Sequence, residues 1–284
     1  MKRWMDMLPK RVKRSILWAL RPDYRYRLRE ISRLKALQRY QPTTTGLLGQ
    51  VIHVIDAASF LSAYEQIFEG GIYDFPASGE DPRIIDCGAN IGLAVLFWKR
   101  RYPRSRILAF EPDPAAFEAL VTNCHNWRLT EVECINKAVW SEEGECLFVR
   151  DGADAGHLLL GEGDEGEGAP VPVCTVRLRD YLEEPVELLK LDIEGAEAEV
   201  LADCSDALER VERVFVEYHS RVHREQRLDT VTHVLRSAGY RIHIQPGLVS
   251  KQPFLRTPES YGMDQRLNIF AYRLRSPAGI PPRG

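Results

Sequence analysis

The sequence predicts an α/β fold built on a mostly parallel sheet with helices on both faces, and three observations predict it. Short apolar runs alternate with longer segments whose apolar positions recur at helical spacing, the pattern of strand–helix–strand units joined by crossovers. The run Ile84 to Cys87 passes through Gly88 and Gly92 into the helical pattern Leu93, Leu96 and Phe97, which reads as strand, tight turn and helix. Successive apolar runs also end in polar residues, namely Asp86, Glu111, Asp192 and Glu217 with His219. In an open α/β sheet that collects chemistry at the carboxyl edge of the strands.

The elements follow in order. Residues 1 to 41 read as helical, broken at Pro22 and ended by Pro42, because proline lacks the donor that continues a helix. Val51 to Ile55 reads as a strand and Ser59 to Phe68 as a helix, and Gly70-Gly71 and Ser78-Gly79 punctuate the approach to the core. The expected organisation is a basic N-terminal helical segment over 1–71, a core domain over 72–276 and a tail over 277–284. The core alternates strand Arg83 to Asp86, helix Leu93 to Arg101, strand Arg106 to Glu111, helix Pro114 to Cys124 and strand Val132 to Val139. Asp113 is the expected N-cap of the second of these helices, with Pro114 at its first position.

Leu147 to Arg150 and Val171 to Val176 read as short strands on either side of Asp151 to Gly168. That stretch holds six glycines, six acids and no Lys or Arg, so it is expected to be a mobile surface insertion rather than a lid. Strand Glu187 to Asp192 follows, then a helix opened by Glu194 and ended near Leu201, strand Val211 to Tyr218 and helix Thr230 to Ala238. Tyr240 to Ile244 and Leu267 to Leu274 have no helix between them and are expected to pair antiparallel, giving seven core strands.

Composition limits the function classes. A hydrophobic fraction of 44% and a charged fraction of 28% describe an ordinary globular chain. The six cysteines show no C-x-x-C pair or metal-like spacing, and read as reduced core thiols of a cytoplasmic protein. The longest apolar stretch near the N-terminus, Ile16 to Leu20, is too short for a membrane span or a signal sequence. The net charge of -3 conceals an asymmetry, because residues 1 to 41 carry thirteen Lys or Arg against three acids. Trp4, Met5, Leu8, Val12, Ile16 and Leu20 recur at helical steps there, a stripe expected to pack on the protein itself, with peripheral contact to an anionic inner membrane surface as the alternative. The acidic core and the lack of an Asn-Pro-Pro-Tyr motif argue against a nucleic-acid partner. Oligomeric state is not readable.

The glycine turn and Glu111, nineteen residues after Gly92, point to an adenosine ligand. Glycines let backbone approach it, and a carboxylate ending the next strand can accept hydrogen bonds from both ribose hydroxyls. A dinucleotide site expects G-x-G-x-x-G, but the spacing here is Gly88-x-x-x-Gly92 with Asp86 in front. An acid there repels a pyrophosphate and suits the ammonium and sulfonium of S-adenosylmethionine. The other classes weighed are an NAD- or sugar-nucleotide-dependent Rossmann enzyme and a non-catalytic protein that binds S-adenosylmethionine. A proton acceptor for an alcohol substrate is sought among His219, Asp192 and Glu194. His219 ranks first because its ordinary pKa lies near neutrality. A divalent ion shared by Asp192 and His219 is the alternative to a base, and the prediction is that no metal is used.

The runs Ile-Ile-Asp-Cys-Gly-Ala-Asn-Ile-Gly at 84–92, Phe-Glu-Pro at 110–112, Asn-Lys-Ala-Val at 136–139 and Leu-Lys-Leu-Asp-Ile-Glu-Gly-Ala-Glu at 189–197 resemble the FkbM family of S-adenosylmethionine-dependent methyltransferases. The resemblance covers roughly residues 70 to 274. It implies the seven-stranded class I methyltransferase (Rossmann-like) sheet and O-methylation of a hydroxyl on a glycan or secondary metabolite. It also implies that Asp86, Gly88, Asn90 and Gly92 line the methionine portion of the cofactor, that Glu111 holds the ribose with Asp113 and Ala138 beside it, and that Asp192 lies near the methyl donor.

Overall fold

The computed structural model describes residues 22–149, 156–159, 170–255 and 262–274. Helix α1 (Pro22–Lys35) is followed by the hairpin β1 (Thr43–Thr45) and β2 (Ile52–Val54), and by α2 (Ala57–Tyr64), which continues into a π-helical turn over Glu65–Glu69. The core then runs β3 (Arg83–Cys87), α3 (Leu93–Arg101), β4 (Arg106–Phe110), α4 (Pro114–Asn126) and β5 (Val132–Ile135). A second group comprises β6 (Ala138–Trp140), β7 (Gly144–Val149), β8 (His157–Leu158) and β9 (Pro170–Arg177). The chain closes with β10 (Leu188–Leu191), α5 (Glu197–Asp203), β11 (Arg213–Arg221), α6 (Leu228–Ser237), β12 (Arg241–Leu248) and β13 (Met263–Tyr272).

The seven-stranded sheet has the order β12-β13-β11-β10-β3-β4-β5, parallel from β11 to β5 and reversed only at β13. The order turns back on itself between β3 and β10, so the carboxyl ends of those two strands frame a crevice. The inner strands alternate their side chains between two apolar layers. Ile85, Leu189 and Leu191 pack on the α5 and α6 side. Ile84, Ile107 and Leu188 pack with Trp98 and Leu120 on the other side. Pro246, which has no N–H to donate, is tolerated because β12 is the sheet edge.

Some expectations give way. Val132 to Val139 is not one strand: Lys137 N–H donates to the Ile135 carbonyl and Asn136 Nδ2 to the Glu111 carbonyl, so the chain pivots there. The second half, β6, joins a separate four-stranded sheet of order β6-β9-β7-β8. The insertion after β7 is not simply a surface excursion, because His157 and Leu158 are buried and pair with Val149 and Phe148. The described part of the segment before residue 72 packs on the core domain. Leu34, Ile52, Phe60 and Ile67 share one apolar cluster with Trp98 and Leu120.

All six cysteines are free, and Cys174 is exposed rather than in the core. Among the described residues no helix is long and apolar enough to cross a membrane. The stripe from Trp4 to Leu20 lies outside the described residues.

Candidate active site

The turn after β3 is tied to the end of β4, because the N–H groups of Gly88 and Ala89 both donate to the Phe110 carbonyl, at 3.0 and 2.9 Å. Gly88 has φ 84°, and a Cβ at this position would lie 1.9 Å from the Asp192 carbonyl oxygen, so conformation and space both require glycine. Glu111 sits just beyond β4 and is buried. Its Oε2 accepts the Asn90 N–H at 2.7 Å and its Oε1 accepts the Asp113 N–H at 2.8 Å. Each oxygen keeps a further lone pair for a ligand hydroxyl. Burial pushes the Glu111 pKa up to about 7, against the lowering effect of the two N–H bonds. Asp113 borders the same pocket but spends its Oδ1 capping α4, accepting from Ala115 N–H at 2.7 Å and Ala116 N–H at 3.2 Å.

Two expected site residues fall elsewhere. Asp86 does not face the pocket: its side chain is fully buried between strands, and the register places it opposite Lys190 on β10. The Lys190 Nζ lies 3.0 Å from Asp86 Oδ1, 3.3 Å from Asp192 Oδ2 and donates to the Gly88 carbonyl at 2.8 Å. Burial opposes this ammonium, but Asp86 and Asp192 hold its pKa well above the ordinary lysine value. Asp86 is thus neutralised from within, and Asp192 is the acid that reaches the pocket. Gly92 also lies off the pocket wall. A side chain there would meet Leu120 Cδ1 at 2.7 Å, so this glycine serves close packing of α3 on α4. Sequence reading missed the role of Lys190, although a lysine inside the apolar strand Leu188-Leu189-Lys190-Leu191 is itself the signal of a buried partner.

At the other end of the crevice the loop after β10 departs from the expected helix start. Glu194 and Gly195 take φ 56° and 104°, so α5 begins only at Glu197. The Glu197 carboxylate folds back, its Oε1 accepting the Gly195 N–H at 3.0 Å, the Ile193 N–H at 3.3 Å and the Nδ1 of His219 at 2.9 Å. The Nε2 of His219 lies 3.6 Å from Glu194 Oε1, 3.6 Å from Glu217 Oε1 and 3.9 Å from Asp192 Oδ1, beyond hydrogen-bond range of each. Glu217 is answered by Arg266 at 3.1 Å, and Glu194 by Arg221 at 3.6 Å. Burial raises the pKa of Asp192 to about 6 and of Glu194 to about 8.

His219 therefore does not have the environment that made it the first choice of base. Its side chain is fully buried behind Asp192 and Glu194, and although burial disfavours the charged ring, Glu194 and Glu197 hold its pKa well above the ordinary histidine value. Asp192, Glu194 and Glu217 line the pocket; His219 does not. The pocket runs from Glu111, past Asn90 and Ala138, to these acids. Ser59 and Gln66, from α2 and its π-helical extension, close it on one side, and Leu158 of β8 on the other.

The pocket joins an end marked by Glu111 to an acid-lined end at the topological switch point. The model of the methyltransferase FkbM domain matches residues 86–242, more than half of the 284-residue chain. The chain belongs to the FkbM methyltransferase domain family. Its FkbM domain contains Glu111, Asp192, Glu194, Glu217 and His219, whereas α2 and Arg266 lie outside the matched span. Methyltransferase 1 of Beauveria bassiana is 32% identical over 165 residues, covering 50% of this chain and 66% of that protein. Methyltransferase sdnD of Sordaria araneosa is 33% identical over 171 residues, covering 49% and 66%. The 31-O-demethyl-FK506 methyltransferase FkbM of Streptomyces tacrolimicus is 28% identical over 168 residues, covering 48% and 65%. The chain thus spans just under two thirds of the length of each of these relatives.

Proposed function

We propose that this protein is an S-adenosylmethionine-dependent O-methyltransferase that acts on a hydroxyl group of a small molecule or glycan. The observation that carries the reading is that one pocket presents Glu111, pinned by the Asn90 and Asp113 N–H groups, at one end and the carboxylates of Asp192, Glu194 and Glu217 at the other. Glu111 has the free lone pairs to accept both ribose hydroxyls. The turn from Gly88 to Ile91 borders the pocket, with bare backbone at Gly88 and a methyl at Ala89, which fits the methionine portion. Asp192, not Asp86, would face the ammonium and sulfonium, and a negative wall favours that positive end while disfavouring a pyrophosphate. An O-methyl acceptor is supported by the 31-O-demethyl-FK506 methyltransferase among the relatives.

S-adenosylmethionine, when bound, supplies an activated methyl group whose bond to sulfur breaks with its electron pair returning to sulfur. The chain's own residues then have two tasks. They align an acceptor oxygen with the methyl carbon, and they take the hydroxyl proton as the oxygen–carbon bond forms. The carboxylate wall of Asp192, Glu194 and Glu217 is positioned to take that proton, with Arg266 and Arg221 keeping Glu217 and Glu194 in place. Ser59 and Gln66 on the opposite side would meet the acceptor.

Calorimetry of S-adenosylmethionine binding tests the reading. Glu111→Ala should weaken binding roughly a hundredfold, the loss of about 3 kcal/mol of charge-assisted hydrogen bonding. Unchanged affinity would remove the ribose assignment, and a chain that preferred NAD would remove the methyltransferase reading altogether. A pH dependence follows from the same residue. Burial on folding raises the Glu111 pKa above its unfolded value to about 7, against the Asp113 and Asn90 N–H bonds, with the Asp113 carboxylate adding to the rise and Lys190 opposing it. Below pH 7 the carboxyl is mostly protonated in the free protein, so an affinity that needs the carboxylate should rise up to about tenfold per pH unit and level off above 7. Glu111→Gln should flatten that limb.

A further inference from the structure

We propose that Asp192, Glu194 and His219 form a binding site for a hard divalent cation, Mg²⁺ or Mn²⁺, at the acceptor end of the pocket. The inference deepens the methyltransferase reading and rests on it for its role in catalysis, though not for the existence of the site.

Four observations carry it. One ligand atom from each of the three residues lies within 4.8 Å of the others, a spacing that a single ion can span. The Nε2 of His219 is buried and has no hydrogen-bond partner, and it points at the carboxylate oxygens of Glu194, Glu217 and Asp192 from 3.6 to 3.9 Å. A ring nitrogen left unpaired among carboxylates is expensive unless something else occupies the space between them. The opposite nitrogen, Nδ1, donates at 2.9 Å to Glu197 Oε1, which is itself fixed by the N–H groups of Gly195 and Ile193. A carboxylate on one imidazole nitrogen orients the ring and frees the other nitrogen as a ligand, the usual arrangement behind a metal-bound histidine.

Charge gives the fourth observation. Asp192, Glu194, Glu197 and Glu217 surround the site; Lys190 is already matched by Asp86, and the cations that answer the four are Arg221 and Arg266. With the carboxylates ionised and the imidazole neutral, the state that ligation requires, the site carries an excess of two negative charges in a buried place, the charge a divalent cation neutralises. Two carboxylates and one imidazole favour Mg²⁺ or Mn²⁺ over thiophilic metals. Three ligands leave coordination positions open for water or an acceptor oxygen. Asp192 and Glu194 both border the pocket, so those positions face it. A cation there would bind the acceptor hydroxyl and lower its pKa, with the proton passing to Glu217, the remaining carboxylate of the wall. The strained φ of 56° at Glu194 then has a use, since it turns that carboxylate back toward Nε2.

The test is titration of the full chain with Mn²⁺ alone, without cofactor or acceptor, following loss of the free-ion electron paramagnetic resonance signal. One site per chain is expected. His219→Ala and Glu194→Gln should each weaken it at least fiftyfold, and Glu197→Gln, which loosens the ring without removing a ligand, about tenfold. Near-ultraviolet circular dichroism and thermal unfolding of the same variants report whether they fold. In the unaltered protein, substoichiometric Mn²⁺ should broaden the His219 imidazole resonances before those of the other histidines, a readout that needs no variant. Absence of a stoichiometric site, or a site insensitive to His219→Ala and Glu194→Gln, overturns the proposal. A chain that binds S-adenosylmethionine but no Mn²⁺ loses only this inference. A chain that binds Mn²⁺ but no S-adenosylmethionine loses the proposed function instead.

Discussion

Replacing Lys190 with Met should destabilise the protein by about 3–5 kcal/mol, the cost of leaving one member of a buried ion pair without its partner. Asp86 is fully buried and Lys190 nearly so, and they face each other across the central strands β3 and β10. The same ammonium holds the Gly88 carbonyl at 2.8 Å and approaches Asp192 at 3.3 Å, so its removal also loosens the pocket wall where β3 and β10 end. Thermal unfolding should show a fall of about 10 °C. The double variant Asp86→Asn with Lys190→Met should recover at least half of the loss, because it no longer buries an unpaired charge. If the double variant were less stable than Lys190→Met alone, the assignment of the penalty to Asp86 would be wrong.

Gly88→Ala should have an effect of the same order or larger, at least about 4 kcal/mol. The added methyl meets backbone, not a side chain that can rotate away, since its nearest neighbour is the Asp192 carbonyl oxygen at 1.9 Å. Relief requires β3 and β10 to separate where they frame the pocket, or the turn to leave φ 84° and lose the two hydrogen bonds to Phe110. Gly79→Ala is the control. Its new methyl would make ordinary contact with Asp81 Oδ1 at 3.6 Å, and its stability should stay within about 0.5 kcal/mol of the parent. A Gly88→Ala protein with unaltered melting temperature and cofactor affinity would show that the strand ends are free to part.

The two positions illustrate different kinds of legibility. The need for glycine at 88 is written in the run Asp86-Cys87-Gly88-Ala89-Asn90, because a strand that must turn sharply into a helix has few other solutions. Glu111 and the Asp113 cap were legible for the same reason. Each acts within a few residues of a strand end or a helix start, and Asp113 does accept the N–H groups of Ala115 and Ala116. Asp86 was read with the correct strand but the wrong target. Its position before the turn suggested an acid facing the ligand, whereas the pleat turns it inward and register supplies Lys190 from a strand that lies about a hundred residues further along.

His219 was misjudged for a similar reason. Its pairing with Glu197 and its exposure to Asp192, Glu194 and Glu217 arise from the loop at 192–197 folding against β11, and no spacing in the chain encodes those distances. The seven strands, the glycine turn, the placing of Glu111 at a strand end and the family are legible in the chain alone, because these depend on local periodicity, turn chemistry and strand ends. Only the tertiary structure decided which acids face the pocket, which lysine neutralises Asp86, and that one imidazole nitrogen stands unpaired among carboxylates. Those outcomes are set by strand register and by burial in a low-dielectric core, where the energy of a charge depends on neighbours distant in the chain.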